Sequence, residues 1–109
     1  MNTDHLIEQI GSIVEQTNWK KVLFFGSRAQ GLEANESDVD VYVVTGDDFT
    51  PQSYDEKLKI KVEVSKHFKK LREYYPVDLI VHTYPMYEQF KKQKSSFSRR
   101  LFDEGITLR

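Results

Sequence analysis

Two carboxylates one residue apart, Asp38 and Asp40, stand at the start of an apolar run from Val39 to Val44. Gly26-Ser27, separated from Asp38 by ten residues, closes an earlier apolar run, Val22 to Phe25. On an extended strand successive side chains alternate between faces, so the two acids point the same way, roughly 6–7 Å apart along the strand. Carboxylates so placed can converge on one hard cation or bridge two. Magnesium takes oxygen ligands, and it commonly uses one or two carboxylates together with substrate phosphates. Without a cation, like charges this close are costly. A solvated strand edge, or Asp38 capping a turn with Ser37, is the plainer alternative.

Glycine directly after a strand lets backbone N–H groups approach a phosphate closely. Ser27 adds a hydroxyl donor for the same oxygens, and Arg28 could clamp a phosphate or pair with a carboxylate. The combination describes a site for a triphosphate and magnesium, and it points to nucleotidyl transfer. It is not a P-loop, because Gly-x4-Gly-Lys-Ser/Thr is absent. A reaction that activates a hydroxyl needs a further carboxylate. Asp78 is the candidate: it is an acid just inside the apolar run Val77 to His82, where packing alone explains it poorly. It could complete the metal cage and accept the proton of the attacking hydroxyl; a strand-end carboxylate facing water is the alternative. His82 shares a strand face with Asp78, as site rim or as a satisfied histidine. His5, His67 and His82 lack metal-ligand spacing with one another. Tyr74, Tyr75, Tyr84 and Tyr87 read as core-edge aromatics, or one of them, not singled out by the sequence, as a residue on which a base stacks.

The elements that must position these residues follow from periodicity. Leu6, Ile7, Ile10, Ile13 and Val14 predict an amphipathic helix, with Thr3 or Asp4 able to cap its start and Thr17-Asn18 ending it. Val22 to Phe25 and the β-branched run Val39 to Val44 predict strands. Ser27 to Gln30 has room for one helical turn before Gly31, and residues 32–37 are polar and loop-like. Asp55 to about Tyr75 predicts one long helix with a core stripe of Ile60, Val64, Phe68, Leu71 and Tyr75, ended by Pro76. A third strand runs from Val77 to His82. Pro85 suits the first turn of another helix. Met86, Phe90, Phe97 and Leu101 keep helical spacing, with a break near Ser95-Ser96. Gly105 then stops the helix, and Ile106 to Leu108 is a short edge strand. The order α-β-β-α-β-α-β predicts an α/β (α+β) fold, a small mixed sheet with helices packed on it.

At 109 residues the chain reads as a single domain spanning 1–109. There is no cysteine, which excludes a disulfide framework, a thiolate zinc site and a cysteine nucleophile. The amino terminus lacks the basic start of a signal peptide. No apolar run approaches the roughly 20 residues that span a bilayer. The expectation is a soluble, cytoplasmic protein. Residues 1–50 hold three Lys/Arg against nine Asp/Glu, and residues 51–109 hold thirteen against eight. The basic runs Lys57 to Arg72 and Lys91 to Arg100 read as solvated helix faces or as a docking surface for an acidic partner or nucleic acid. The net charge of −1 argues against direct nucleic-acid binding.

Taken residue by residue, Gly26, Ser27, Asp38, Asp40 and Asp78 resemble the minimal nucleotidyltransferase family of the DNA polymerase beta-like superfamily. Phe25, Arg28, Ala29, Gly31 and Ser37 are also similar to it, as is the tail Glu104-Gly105-Ile106-Thr107-Leu108. Gln30 stands where the family commonly carries a basic residue. The resemblance implies the polymerase beta-like fold and a two-metal transfer of a nucleoside monophosphate from a nucleoside triphosphate, with ATP as substrate. Asp38, Asp40 and Asp78 would hold Mg2+, Asp78 would help deprotonate the acceptor, and Gly26 and Ser27, with Arg28, would position the phosphates. Short free-standing members often pair with a HEPN-domain ribonuclease toxin as its antitoxin, and some transfer AMP to a toxin tyrosine. The competing expectation is a non-catalytic antitoxin that neutralises its partner by occlusion.

Overall fold

The computed structural model describes residues 3–31 and 38–109. The expected loop over 32–37, and any cap that Ser37 forms with Asp38, lie outside the described residues. In chain order the elements are α1 (Thr3–Glu15), β1 (Lys21–Phe25), β2 (Val39–Val44), α2 (Tyr54–Lys66), α3 (Lys69–Arg72), β3 (Val77–His82), α4 (Tyr84–Gln93), α5 (Ser96–Glu104) and β4 (Ile106–Thr107).

The strands form one mixed sheet in the order β3-β2-β1-β4. β1 runs antiparallel to β2 and to β4, whereas β2 and β3 are parallel. A parallel pair needs a crossover connection, which α2 and α3 supply. Both faces of the sheet are covered, so its central strands read as continuous apolar runs rather than as alternating ones. Val22 and Phe24 of β1, Val39, Val41 and Val43 of β2, and Val77 and Leu79 of β3 pack with Leu6, Ile10 and Val14 of α1 and with Val64, Phe68 and Leu71. On the opposite face Leu23, Tyr42 and Val44 pack with Leu101 of α5, flanked by Phe25, Ile80, Tyr87, Phe90 and Phe102. Each such fully buried side chain contributes about 1.5–3 kcal/mol over an exposed one. Asp40 and Asp78 belong by alternation to this second face, at its open end.

Two expectations need correction. Thr3 lies inside α1 and does not cap it; its hydroxyl donates to the Arg28 carbonyl at 2.8 Å, tying the helix to the turn after β1. The long helix over 55–75 is broken. α2 stops at Lys66 and α3 restarts at Lys69, with Phe68 outside helical geometry at φ −100° and ψ 9°. That departure sets the fully buried Phe68 ring flat against Trp19, with centroids 5.9 Å apart and planes 5° from parallel. His67 meets the same indole edge-on at 5.2 Å. No glycine or proline marks the break, which coincides with the packing of Phe68 on Trp19, far back along the chain. As expected, Phe97 and Leu101 share one helix; Leu101 is buried and Phe97 is 44 % exposed.

The break between the last two helices sits at Lys94, in left-handed conformation at φ 50°, followed by Ser95 as N-cap of α5. The Ser95 hydroxyl accepts from the Ser98 backbone N–H at 3.1 Å. Ser95→Ala leaves that donor unpaired, and the expected result is a loss of about 1 kcal/mol. A urea titration should show a lower midpoint with an unchanged slope.

Candidate functional site

The parallel register of β2 and β3 places Asp40 directly opposite Asp78. Asp38 comes immediately before β2 and completes the group. One carboxylate oxygen from each of the three lies within 4.8 Å of the others. Asp38 and Asp78 are exposed, while Asp40 is half-buried. The structure therefore brings together the three acids singled out in the sequence, two from one segment and one from a strand reached only through the α2–α3 crossover.

The electrostatics report the cost of this assembly. Burial, followed by the charges of Asp78 and then Asp38, pushes the Asp40 carboxyl up from its ordinary 3.8 to about 6. The donor set is three hard oxygen ligands sharing one small volume, open to solvent on two sides. It can chelate a divalent cation of the magnesium type, and the cation's charge would offset the repulsion that raises Asp40.

The turn after β1 closes against this group. Gly26 has φ +85°, and a Cβ built there would collide with Asp40 Oδ2. Glycine is required at this position twice over, for its left-handed backbone and for the contact with the carboxylate. The turn is held by the Gln30 N–H donating to the carbonyls of Gly26 and Ser27, and by the Gly31 N–H donating to that of Arg28. This is the single helical turn expected from the sequence. The Arg28 guanidinium lies over the Tyr75 ring, 5.2 Å from its centroid. Gln30 Nε2 donates to Glu104 Oε2 at 2.9 Å, linking the turn to the end of α5.

His82 is not part of this group. It sits four residues further along β3 than Asp78, about 13 Å away at the rise of a strand. Its Nδ1 is 2.8 Å from the Tyr42 hydroxyl, and Phe90 packs against the ring. Burial, with a smaller contribution from Lys57, pulls His82 down, and burial pushes Tyr42 up. Both are neutral at pH 7, a satisfied polar pair inside the second core face.

The contacts that sequence reasoning missed are Arg28 with Tyr75, Gln30 with Glu104, and Phe25 with Phe97. The last pair meet edge-on at 5.9 Å. All three are non-local, and no local pattern announces them.

Residues 8–108 match the protein family described as Polymerase beta, Nucleotidyltransferase. The matched span includes the Gly26-Ser27 turn and all three carboxylates. Among curated proteins none matches the chain. No helix among the described residues is long and apolar enough to cross a membrane.

Proposed function

Because the chain belongs to the polymerase beta nucleotidyltransferase family, we propose that it transfers AMP from ATP to a hydroxyl, that of a tyrosine on a HEPN-type ribonuclease toxin, and so acts as that partner's antitoxin. The observation that carries the reading is the convergence of Asp38, Asp40 and Asp78 within 4.8 Å beside the Gly26 turn.

In this reading Asp38, Asp40 and Asp78 hold magnesium, which when bound supplies charge neutralisation for the entering and leaving oxygens of an in-line displacement. Gly26 and Ser27, with Arg28, orient the triphosphate so that pyrophosphate points away from the acceptor. The acceptor oxygen forms a new bond to the α-phosphorus. The bond from that phosphorus to the bridging oxygen breaks, and pyrophosphate departs with the electron pair. The acceptor proton passes to the exposed carboxylate of Asp78.

Two features support a protein acceptor. Asp38 and Asp78 are exposed, so a large substrate can reach the reacting centre. Tyr54, Leu58 and Val62 form an exposed apolar stripe at four-residue spacing along α2. Contiguous apolar surface of that kind is what a protein partner covers.

The test supplies the purified protein, magnesium and an extract containing the partner with ATP labelled at the α-phosphate or, separately, at the γ-phosphate. The expected result is a protein band labelled from the α-position alone and lost with Asp38→Asn. A partner that co-purifies without acquiring label would instead establish neutralisation by occlusion.

A further inference from the structure

The aromatic residues of the second core face run out to the carboxylates and end in an open ring. Phe25 precedes Gly26 and lies opposite Asp40 in the β1–β2 register. Its ring meets Phe97 edge-on at 5.9 Å, and Phe97 leans on Phe90 at 6.0 Å. Phe97 is thus braced by two rings, yet 44 % of it is exposed.

The direction of α5 fixes where this ring stands. Leu101 packs with Leu23 in the second core cluster, and Gly105, at the helix end, faces the Leu23 side chain. The helix therefore runs back along β1, and its first turn, carrying Phe97, lies at the Gly26–Asp40 end of the sheet. Paired Cα atoms across an antiparallel ladder are about 5 Å apart. Phe25 is paired with Asp40 and its ring meets Phe97, so Phe97 stands on the order of 10 Å from the carboxylates. A ribose spans that interval between an α-phosphate and its base. The other aromatic beside the turn, Tyr75, has the Arg28 guanidinium over its ring and packs against the opposite core face.

We propose that Phe97 is the platform on which the base of the nucleoside triphosphate stacks, giving affinity for a base without reading its hydrogen-bonding edge. This rests on the nucleotide reading of the carboxylate site. Every base has a π-face, so a stacking platform tolerates different bases.

The experiment measures binding to wild type and to Phe97→Ala in magnesium by calorimetry. The probes are non-hydrolysable α,β-methylene analogues of ATP and GTP, and inorganic tripolyphosphate. Phe97→Ala is expected to weaken both analogues about tenfold, to leave tripolyphosphate unchanged, and to be rescued by Phe97→Trp. Wild-type affinity for the analogues in Phe97→Ala overturns the platform while leaving the nucleotide site standing. An equal loss for tripolyphosphate also overturns it, assigning the ring to the packing of α5. If wild type binds neither the analogues nor tripolyphosphate, the nucleotide reading itself fails and the platform with it.

Discussion

Asp40→Asn is expected to remove stabilisation of the fold by divalent metal and to lower the proposed nucleotidyl transfer about a hundredfold or more, while the metal-free variant is expected to be more stable than wild type at pH 7. Asp40 is the half-buried member of the triad and faces both other acids. Even outer partners of metal ligands are worth about 10–100-fold, so an inner ligand is worth at least that. The stability change follows from the carboxyl pushed up to about 6. Between the ordinary 3.8 and that value the folded chain keeps a proton that the unfolded chain has released. Metal-free stability from this group is therefore fully present below 3.8 and lost as pH rises through about 6. Asparagine has no proton to lose, so the variant escapes that loss. Thermal melts at pH 5 and pH 7.5, with and without magnesium, check each part. Wild type should be stabilised by metal at pH 7.5 and less so at pH 5, where protons compete for Asp40. An undiminished metal response in the variant would refute the assignment.

Gly26→Ala carries the second large effect. The substitution puts a Cβ into the space of Asp40 Oδ2 and forces an L-residue to hold φ +85°. The left-handed backbone alone costs roughly 1–2 kcal/mol. The collision is relieved only if Asp40 or the turn moves, and either movement shifts the Gly26 turn relative to the carboxylates. The expected outcome is a lower melting temperature together with a fall in magnesium-dependent transfer comparable to that of Asp40→Asn. Gly31→Ala is the control: it shares the positive φ, at +75°, but among the described residues its Cβ would approach nothing closer than Thr3 Oγ1 at 3.8 Å. It should show the backbone penalty without the loss of metal response. Equal behaviour of the two variants would place the cause in the turn conformation and clear the Asp40 contact.

What could be read from residues alone was whatever depends on neighbours in the chain. The alternation that puts Asp38 and Asp40 on one side of a strand, the glycine after β1 and the proline opening α4 are local signals, and each corresponds to an observed feature. Asp78 was legible for a different reason: an acid in an apolar strand is anomalous wherever that strand pairs. That it would lie opposite Asp40 was not legible, because the register of a parallel pair is set by core packing on both faces. The break at Phe68 escaped as well, because it coincides with packing on Trp19, far back in the sequence, while the residues around Phe68 carry no local breaker. Phe97 illustrates the converse. Its spacing is helical, as observed, but spacing alone does not tell that the ring meets Phe25 and Phe90 and still stays 44 % exposed.

The parallel pairing of β2 with β3 also decides which changes in length this protein can survive over generations. The crossover between the two strands is a tether whose length the carboxylates do not sense, so residues can be gained or lost at the turn before α2 without disturbing the triad. Within β3 the tolerance vanishes. Removing a single residue between Pro76 and Asp78 would turn the acid toward α1 and α2, where Leu79 now packs, and present an apolar side chain to Asp40. The lineage can drift freely in the size of its crossover, but the parity of one strand is locked.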